Sequence, residues 1–531
     1  MIRSLVFTLL LAVPALSHAQ STSQVASQNS SQRTSQSFAY LRGTDTLGVE
    51  TVTISSTAIT GDLVLTGAPR VMWTHERQGT VFGALSLKVF TPGAAANSAP
   101  AQEGTVRIAG DSASLVMSAG TRSQSQTLPI ARGAVALVNA SVVHAALIGA
   151  NAAKLNQGNV PLFLTSGGQT VTAAIAGRGD TLLVTINGAE SRVVMAADGL
   201  PREIAVPSQS ARVVRMAAGT AQAPAMITYE APTGAPYTAE SVKIPTERGY
   251  ELAGTLTRPV LNRTVAVVVT ISGSGPQERD GRLAVVPGYA PFREIADTLA
   301  RRGIATLRFD DRGVGASGGL ESARSATSAD LADDVRSIIA WLKKRGDIDA
   351  RNIVLAGHSE GGLIAPMVAA TSLDVRAIAL LAGPAYSGRR VSMMQNKESI
   401  DGMGIAQARR DSIMATVPAQ LDKLGESNKW FGFYLSYDPL VTARQVKQPV
   451  LVLQGATDRQ VSPEQADTLA AALRSSGNTM VTTKVFPATN HLFLADSSGA
   501  FTGYGALKDT KLRKEVLGAL ADWVLQVTTR K

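Results

Sequence analysis

The most restrictive feature of this chain is a junction. The apolar run Ile353-Val-Leu-Ala356 ends in Gly357-His358-Ser359-Glu360-Gly361-Gly362, and the helix-like run Leu363–Ala370 follows at once. This is G-x-S-x-G between a strand and a helix, the setting in which the pattern carries chemistry. A serine on so sharp a turn takes a strained backbone. Glycines two residues to either side remove side chains that would collide there. The hydroxyl stands clear of the sheet, and the helix N-terminus favours developing negative charge.

A serine hydroxyl is a nucleophile at neutral pH only with a base. For a serine carried in this way the chain order is serine, acid, histidine. His491 is the sole histidine after Ser359, which makes it the expected base. His358 is expected to point away from its neighbour. The acid belongs in the exit loop of a sheet strand. Pro449-Val-Leu-Val-Leu453 is such a strand and Gln454-Gly-Ala-Thr-Asp458 its exit, so Asp458 is the expected acid. A helix over Pro463–Leu473 and a strand over Thr482–Phe486 fit between Asp458 and His491. Of the competing carboxylates, Asp467 falls inside that helix, and Asp438 precedes a proline at the wrong edge of the strand.

An oxyanion needs two backbone N–H groups. Glu360, next to the serine, is expected to give one. Ser274 is expected to give the other, from Ile271-Ser-Gly-Ser-Gly-Pro276 after the apolar strand Val265–Thr270. Gly313, Gly315 and Gly318 also match the dinucleotide fingerprint G-x-G-x-x-G. Two aspartates and an arginine precede them and no helix opens at the glycines, which argues against a nucleotide. Asp310–Gly318 instead resembles the D-x-R-G-x-G-x-S loop of α/β-hydrolases, and the resemblance implies a site-shaping role.

Around these residues apolar strands alternate with amphipathic helices, at Phe292–Arg302, Ile304–Phe309, Ala329–Arg345 and Asn352–Ala356. Thr327 and Asp330 form a capping box. The pattern predicts an α/β domain with a parallel sheet covered on both faces.

The chain of 531 residues suggests two or three domains. Residues 38–216 show short alternating runs divided by Gly, Asp and Asn, among them Val49–Ile54, Leu85–Phe90 and Thr105–Ile108. Thr181–Ile186 ends in Asn187-Gly188, which predicts a hairpin returning through Arg192–Met195. A mostly antiparallel β domain follows, with one helix-like stretch around Ala134–Leu155. His75 and His144 lack metal-ligand spacing. Residues 217–238, rich in Ala, Pro, Gly and Thr, read as a linker, and 239–531 as the α/β domain.

Arg3, the apolar run Leu5–Leu16 and Ser17-His-Ala19 form a signal peptide over 1–19. The run is shorter than the roughly 20 residues of a membrane span. Export to the periplasm or the medium is expected. Ser/Gln/Thr-rich residues 20–37 read as a disordered tail. The absence of cysteine excludes disulfides, thiolate zinc and a cysteine nucleophile. The net charge of +10 comes in short clusters such as Lys343-Lys344-Arg345, which argues against nucleic acid as a partner.

Several stretches together resemble bacterial secreted α/β-hydrolases of the serine aminopeptidase-like and dienelactone-hydrolase-like esterase group. They are Ser272-Gly-Ser-Gly-Pro-Gln-Glu-Arg-Asp280, Asp310-Asp-Arg-Gly-Val-Gly315, Gly357-His-Ser-Glu-Gly-Gly-Leu-Ile-Ala-Pro366, Leu380-Leu-Ala-Gly-Pro384 and Asn490-His-Leu-Phe493. The resemblance spans about residues 237–531. It implies an α/β-hydrolase fold and carboxylic-ester hydrolysis through an acyl-enzyme, with no metal or organic cofactor. Residues from about 385 to 447 read as an inserted helical cap, in which Trp430, Phe431, Phe433 and Tyr434 either line an acyl pocket or pack the cap. Two alternatives stand beside the small-ester reading. One is an aminopeptidase or amidase with the same triad, acting on a peptide, for which Glu278, Glu294 or Glu360 would bind an amine. The other is an envelope-binding protein, contacting the envelope through the β domain, with a vestigial hydrolase domain. The oligomeric state is not encoded in any of these motifs.

Overall fold

The computed structural model describes residues 34–529, except 43–44, 66–68, 91–98, 120–121, 166–167, 187–188, 208–210, 218–227, 284–285, 287, 324 and 403–405. The expected leader and residues 20–33 of the expected tail lie outside the described residues. Among the described residues no helix is long and apolar enough to cross a membrane. The chain forms two compact units that divide between Ile227 and Thr228.

The first unit is one sheet of fifteen strands. From Thr34 to Pro129 each strand pairs with the next, and the strands up to Arg215 repeat the pattern. The first strand, Thr34–Arg42, pairs antiparallel with the last, Ala211–Arg215, with Phe38 opposite Arg215. Thr181–Ile186 and Ala189–Met195 form the expected hairpin.

Two details differ from the sequence reading. The strand begins at Thr34, inside the expected tail. Its polar residues are satisfied across the ladder, Ser37 against Thr51 (2.8 Å) and Ser35 against Thr53 (3.0 Å). The expected helix around Ala134–Leu155 is shorter. Val135–Leu137 is a strand, and the helix Val142–Lys154 starts where the Ser141 hydroxyl accepts the His144 N–H (2.9 Å). This helix is buried on almost every side, as expected of one enclosed by a sheet's core.

The second unit carries eight strands: β1 (Tyr237–Pro245), β2 (Glu251–Pro259), β3 (Val265–Ile271), β4 (Ala305–Phe309), β5 (Ile348–His358), β6 (Val375–Leu381), β7 (Val450–Gly455) and β8 (Val481–Phe486). Their spatial order is β1-β2-β4-β3-β5-β6-β7-β8. β1 and β2 are antiparallel, and β4 onward run parallel. The continuous apolar runs are explained by burial on both faces. Val267 and Val269 of β3 face one core with Val335, Ile338 and Leu469. Val268 faces the other, with Phe292, Ile295 and Leu520. Strand order and two-sided helix cover are those of an α/β-hydrolase.

The packed unit begins before the expected linker ends. Tyr229 lies under the Arg279 guanidinium (4.2 Å), and its hydroxyl donates to Glu278 (3.0 Å). Between β6 and β7 run the helices Gly388–Asp401, Gln407–Ser427, Lys429–Ser436 and Pro439–Ala443, with a small core of Ile400, Val417, Leu421 and Leu435.

Candidate active site

Parallel strands of an α/β sheet present ligand sites beyond their C-terminal ends. β3, β5, β7 and β8 deliver Ser274, Ser359, Asp458 and His491 to that edge.

Ser359 has φ +54°, a left-handed conformation that costs a non-glycine residue roughly 1–2 kcal/mol. The flanking glycines are needed sterically. A Cβ on Gly357 would lie 2.0 Å from the Gly361 carbonyl oxygen, and one on Gly361 would lie 2.4 Å from that of Ile271. The Ser359 N–H donates to Leu381 (2.9 Å), tying the turn to β6. The helix Gly361–Ala369 starts two residues later.

Asp458 is buried and fully partnered. One carboxylate oxygen accepts the N–H groups of Gln460 (2.8 Å) and Val461 (2.9 Å). The other accepts His491 Nδ1 (2.8 Å) and Gln454 Nε2 (2.9 Å). With Nδ1 engaged, His491 keeps Nε2 for proton transfer. The Ser359 hydroxyl makes no hydrogen bond among the described residues. Such contacts tighten only when substrate binds in many hydrolases.

His358 Nε2 bonds to the His491 carbonyl oxygen (3.0 Å), so it braces the histidine loop and does not serve the serine. Burial, then the nearby His491, pushes its pKa down to about 4, which keeps it neutral. Asp438 caps the helix Pro439–Ala443, and Asp467 lies in the helix Glu464–Ser475.

The backbone N–H groups of Glu360 and Ser274, the two expected oxyanion donors, have no partner among the described residues. The glycines after Arg312 wrap a carboxylate. A Cβ on Gly315 would lie 2.4 Å from Asp310 Oδ2, which also accepts the Ala316 N–H (3.1 Å). Asp310 in turn holds Arg279 through its backbone N–H, Nε and Nη2 (2.9, 3.0 and 2.7 Å).

Sequence reasoning missed the polar groups around this core. Glu360 Oε1 accepts Ser328 Oγ (2.6 Å) and, from the cap, Trp430 Nε1 (2.7 Å). Its Oε2 is buried without a partner among the described residues. Trp430 stacks on Tyr434 (5.5 Å), whereas Phe431 packs into the cap core and Phe433 stacks on Tyr437. Burial pushes Asp311 up to about 7, with Asp310 and Glu360 adding to the rise. A local pattern gives no sign of the Glu360 pairings, because Ser328 and Trp430 lie 32 and 70 residues from it.

The two histidines set aside on spacing do meet in the first unit. The Val138 N–H donates to His144 Nδ1 (3.2 Å), so His144 carries its proton on Nε2 and donates to His75 Nδ1 (2.9 Å). Burial pushes both pKa values down, His75 to about 4.

Residues 291–509 match the model of the prolyl oligopeptidase family. Esterase EstD of Thermotoga maritima is 25% identical over 282 residues, 52% of this chain and 66% of the esterase. Dipeptidyl aminopeptidase BIII of Pseudoxanthomonas mexicana is 26% identical over 244 residues, 43% of this chain and 30% of the peptidase. The chain thus spans less than two thirds of either relative. A solved esterase of Pyrococcus furiosus superposes with a TM-score of 0.40 at 16% identity, covering 57% of this chain and 97% of its own. The second unit of this chain has the α/β-hydrolase fold, with Ser359 on the turn between β5 and the helix Gly361–Ala369.

Proposed function

We propose that this protein is a serine hydrolase that cleaves carboxylic esters through an acyl-enzyme. The observation that carries the reading is the Asp458–His491 bond (2.8 Å), with four donors on the carboxylate, at the sheet edge that also presents the strained Ser359. His491 takes the Ser359 proton as the oxygen attacks the carbonyl. The N–H groups of Glu360 and Ser274 hold the oxyanion. Protonated His491 then protonates the leaving alcohol, and water activated by the same ring releases the acid.

The test is fluorophosphonate labelling, followed by turnover of p-nitrophenyl esters from acetate to palmitate. Ser359→Ala should abolish labelling and lower kcat by about 10⁴-fold or more without loss of fold. Full activity in that variant would remove Ser359 from the mechanism.

One observation favours a second reading, an aminopeptidase or amidase. Of the three carboxylates open to that role, Glu360 adjoins the nucleophile and keeps a buried oxygen without a partner, suited to a substrate ammonium. Glu278 is occupied by Tyr229, Arg282 and the Asp280 N–H. Glu294 Oε1 also lacks a hydrogen-bond donor among the described residues, but the Lys511 ammonium already faces it (3.7 Å) and Oε2 accepts the Leu512 N–H. Faster hydrolysis of aminoacyl p-nitroanilides than of neutral esters would decide for it. Export directed by residues 1–19 is part of the same proposal, and the N-terminus of the mature protein tests it.

A further inference from the structure

The loop from Ser272 to Gln277 reaches the nucleophile. A Cβ built on Gly273 would lie 3.2 Å from the Ser359 Cβ and 3.5 Å from the His358 carbonyl oxygen. The same loop carries Ser274, whose N–H has no partner among the described residues. One residue closes both of its ends. Asp311 Oδ1 accepts the Ser272 hydroxyl (2.8 Å), and Oδ2 accepts the Gln277 N–H (2.9 Å). The Asp311 N–H donates to the Gln277 carbonyl (3.1 Å). Beyond Gln277 the chain is fixed independently, by Arg279 on Asp310.

A carboxylate is an expensive choice for a purely structural clamp here. Asp311 is buried, and among the described residues no cation pairs with it. The charged groups that face it are Asp310 from its own loop and Glu360 from the elbow, both acidic. Its two oxygens meet two donors, one at each end of the loop.

We propose that Asp311 is a positioning residue for the oxyanion hole: by fixing Ser272 and Gln277 it holds the Ser274 N–H where the alkoxide of the tetrahedral intermediate forms. The proposal rests on the hydrolytic reading above. It predicts an effect on the transition state and little on substrate binding, because the planar ester does not yet place a charge on that N–H. A displacement of about 1 Å in such a donor is worth about 10²-fold in rate. With a pKa near 7, Asp311 adds an ionisation to the kcat profile, activity falling as pH drops through it.

The experiment is steady-state kinetics on an ester that the wild type turns over, with inhibition by an alkylboronic acid that forms a tetrahedral adduct on Ser359. Asp311→Ala is expected to lower kcat about 10²-fold, to weaken the boronate by a similar factor and to move KM by less than about threefold. Asp311→Asn, which fits the site and keeps one acceptor, is expected to recover part of kcat and to lose the ionisation near pH 7. Should Asp311→Ala not fold, Ser272→Ala cuts one clamp bond and is expected to lower kcat about tenfold with the same split. A change in kcat below twofold, or equal changes in KM and boronate affinity, would overturn the proposal. So would a kcat–pH profile of Asp311→Asn that superposes on that of the wild type, since the ionisation of His491 is common to both. A wild type that shows neither labelling nor turnover would overturn the hydrolytic reading first, and this proposal with it.

Discussion

At the scale of single residues, the site is organised by which oxygen of each carboxylate is occupied. Asp458 has four donors, Glu360 has two on one oxygen, and Asp311 has one on each. The cost of this last arrangement is measurable. Asp311 titrates near 7 in the folded protein, against about 3.9 for an ordinary aspartate. Below about pH 4 both folded and unfolded chains hold the proton, and the group is neutral to stability. As pH rises the unfolded chain ionises first, so stability is lost until pH passes about 7. Asp311→Asn removes that loss. Relative to wild type it is expected to gain roughly 2–3 kcal/mol more at pH 8 than at pH 5 in denaturant unfolding. A difference independent of pH would show that burial does not penalise this carboxylate. The strand exits that carry Ser359 and Asp458 were legible from the sequence because apolar runs announce them, and His491 was singled out only as the sole histidine after Ser359. Asp311, Gln454 and the Glu360 side chain were not, since their roles come from partners brought together only by the folded sheet. The bond of His358 to the His491 carbonyl oxygen had no sign in the sequence and needed coordinates.

Elements were legible where one residue type fixes their ends. The capping box of Thr327 and Asp330 is present on the helix Ser328–Leu342. The helix Val142–Lys154 was read too long, because apolar residues before Ser141 continue its pattern while pairing as a strand. What fixes this helix is a buried carboxylate from another element. Glu50 accepts Ser141 Oγ (2.6 Å), Trp73 Nε1 (2.9 Å) and the Tyr40 hydroxyl. Burial pushes its pKa up, against the pull of these three donors. Glu50→Gln keeps the shape but turns an amide NH2 toward groups that donate. It is expected to cost about 1–3 kcal/mol in denaturant unfolding. An unchanged midpoint would mean that the hydroxyls reorient freely and that the helix is held by packing alone.

Across the whole molecule, each unit owns its core, and the two clusters flanking the parallel sheet share no residue with the one around the buried helix. Calorimetry is therefore expected to resolve two transitions, since two-state behaviour holds for single cores. Trp73 is buried, stacks on His144 and packs against Gly61, where a Cβ would come within 2.1 Å of its ring. Trp73→Ala is expected to lower one transition by about 3–5 kcal/mol and leave the other in place. A single transition that moves as a whole would show the units to be thermodynamically one.

The pairing of the first strand with the last has a temporal consequence. Gln36 reaches the Met216 carbonyl oxygen, 180 positions along the chain. A polypeptide made from its N-terminus exposes Thr34–Arg42 long before Ala211–Arg215 exists. The first meander can zip as it emerges, but one flank of its opening strand stays bare until the end of the unit arrives. Closure of that seam is thus expected to be the last step in the folding of the first unit, as for a contact between distant positions. Until then the bare flank is the place where a holding chaperone would act, and where neighbouring nascent copies would join edge to edge.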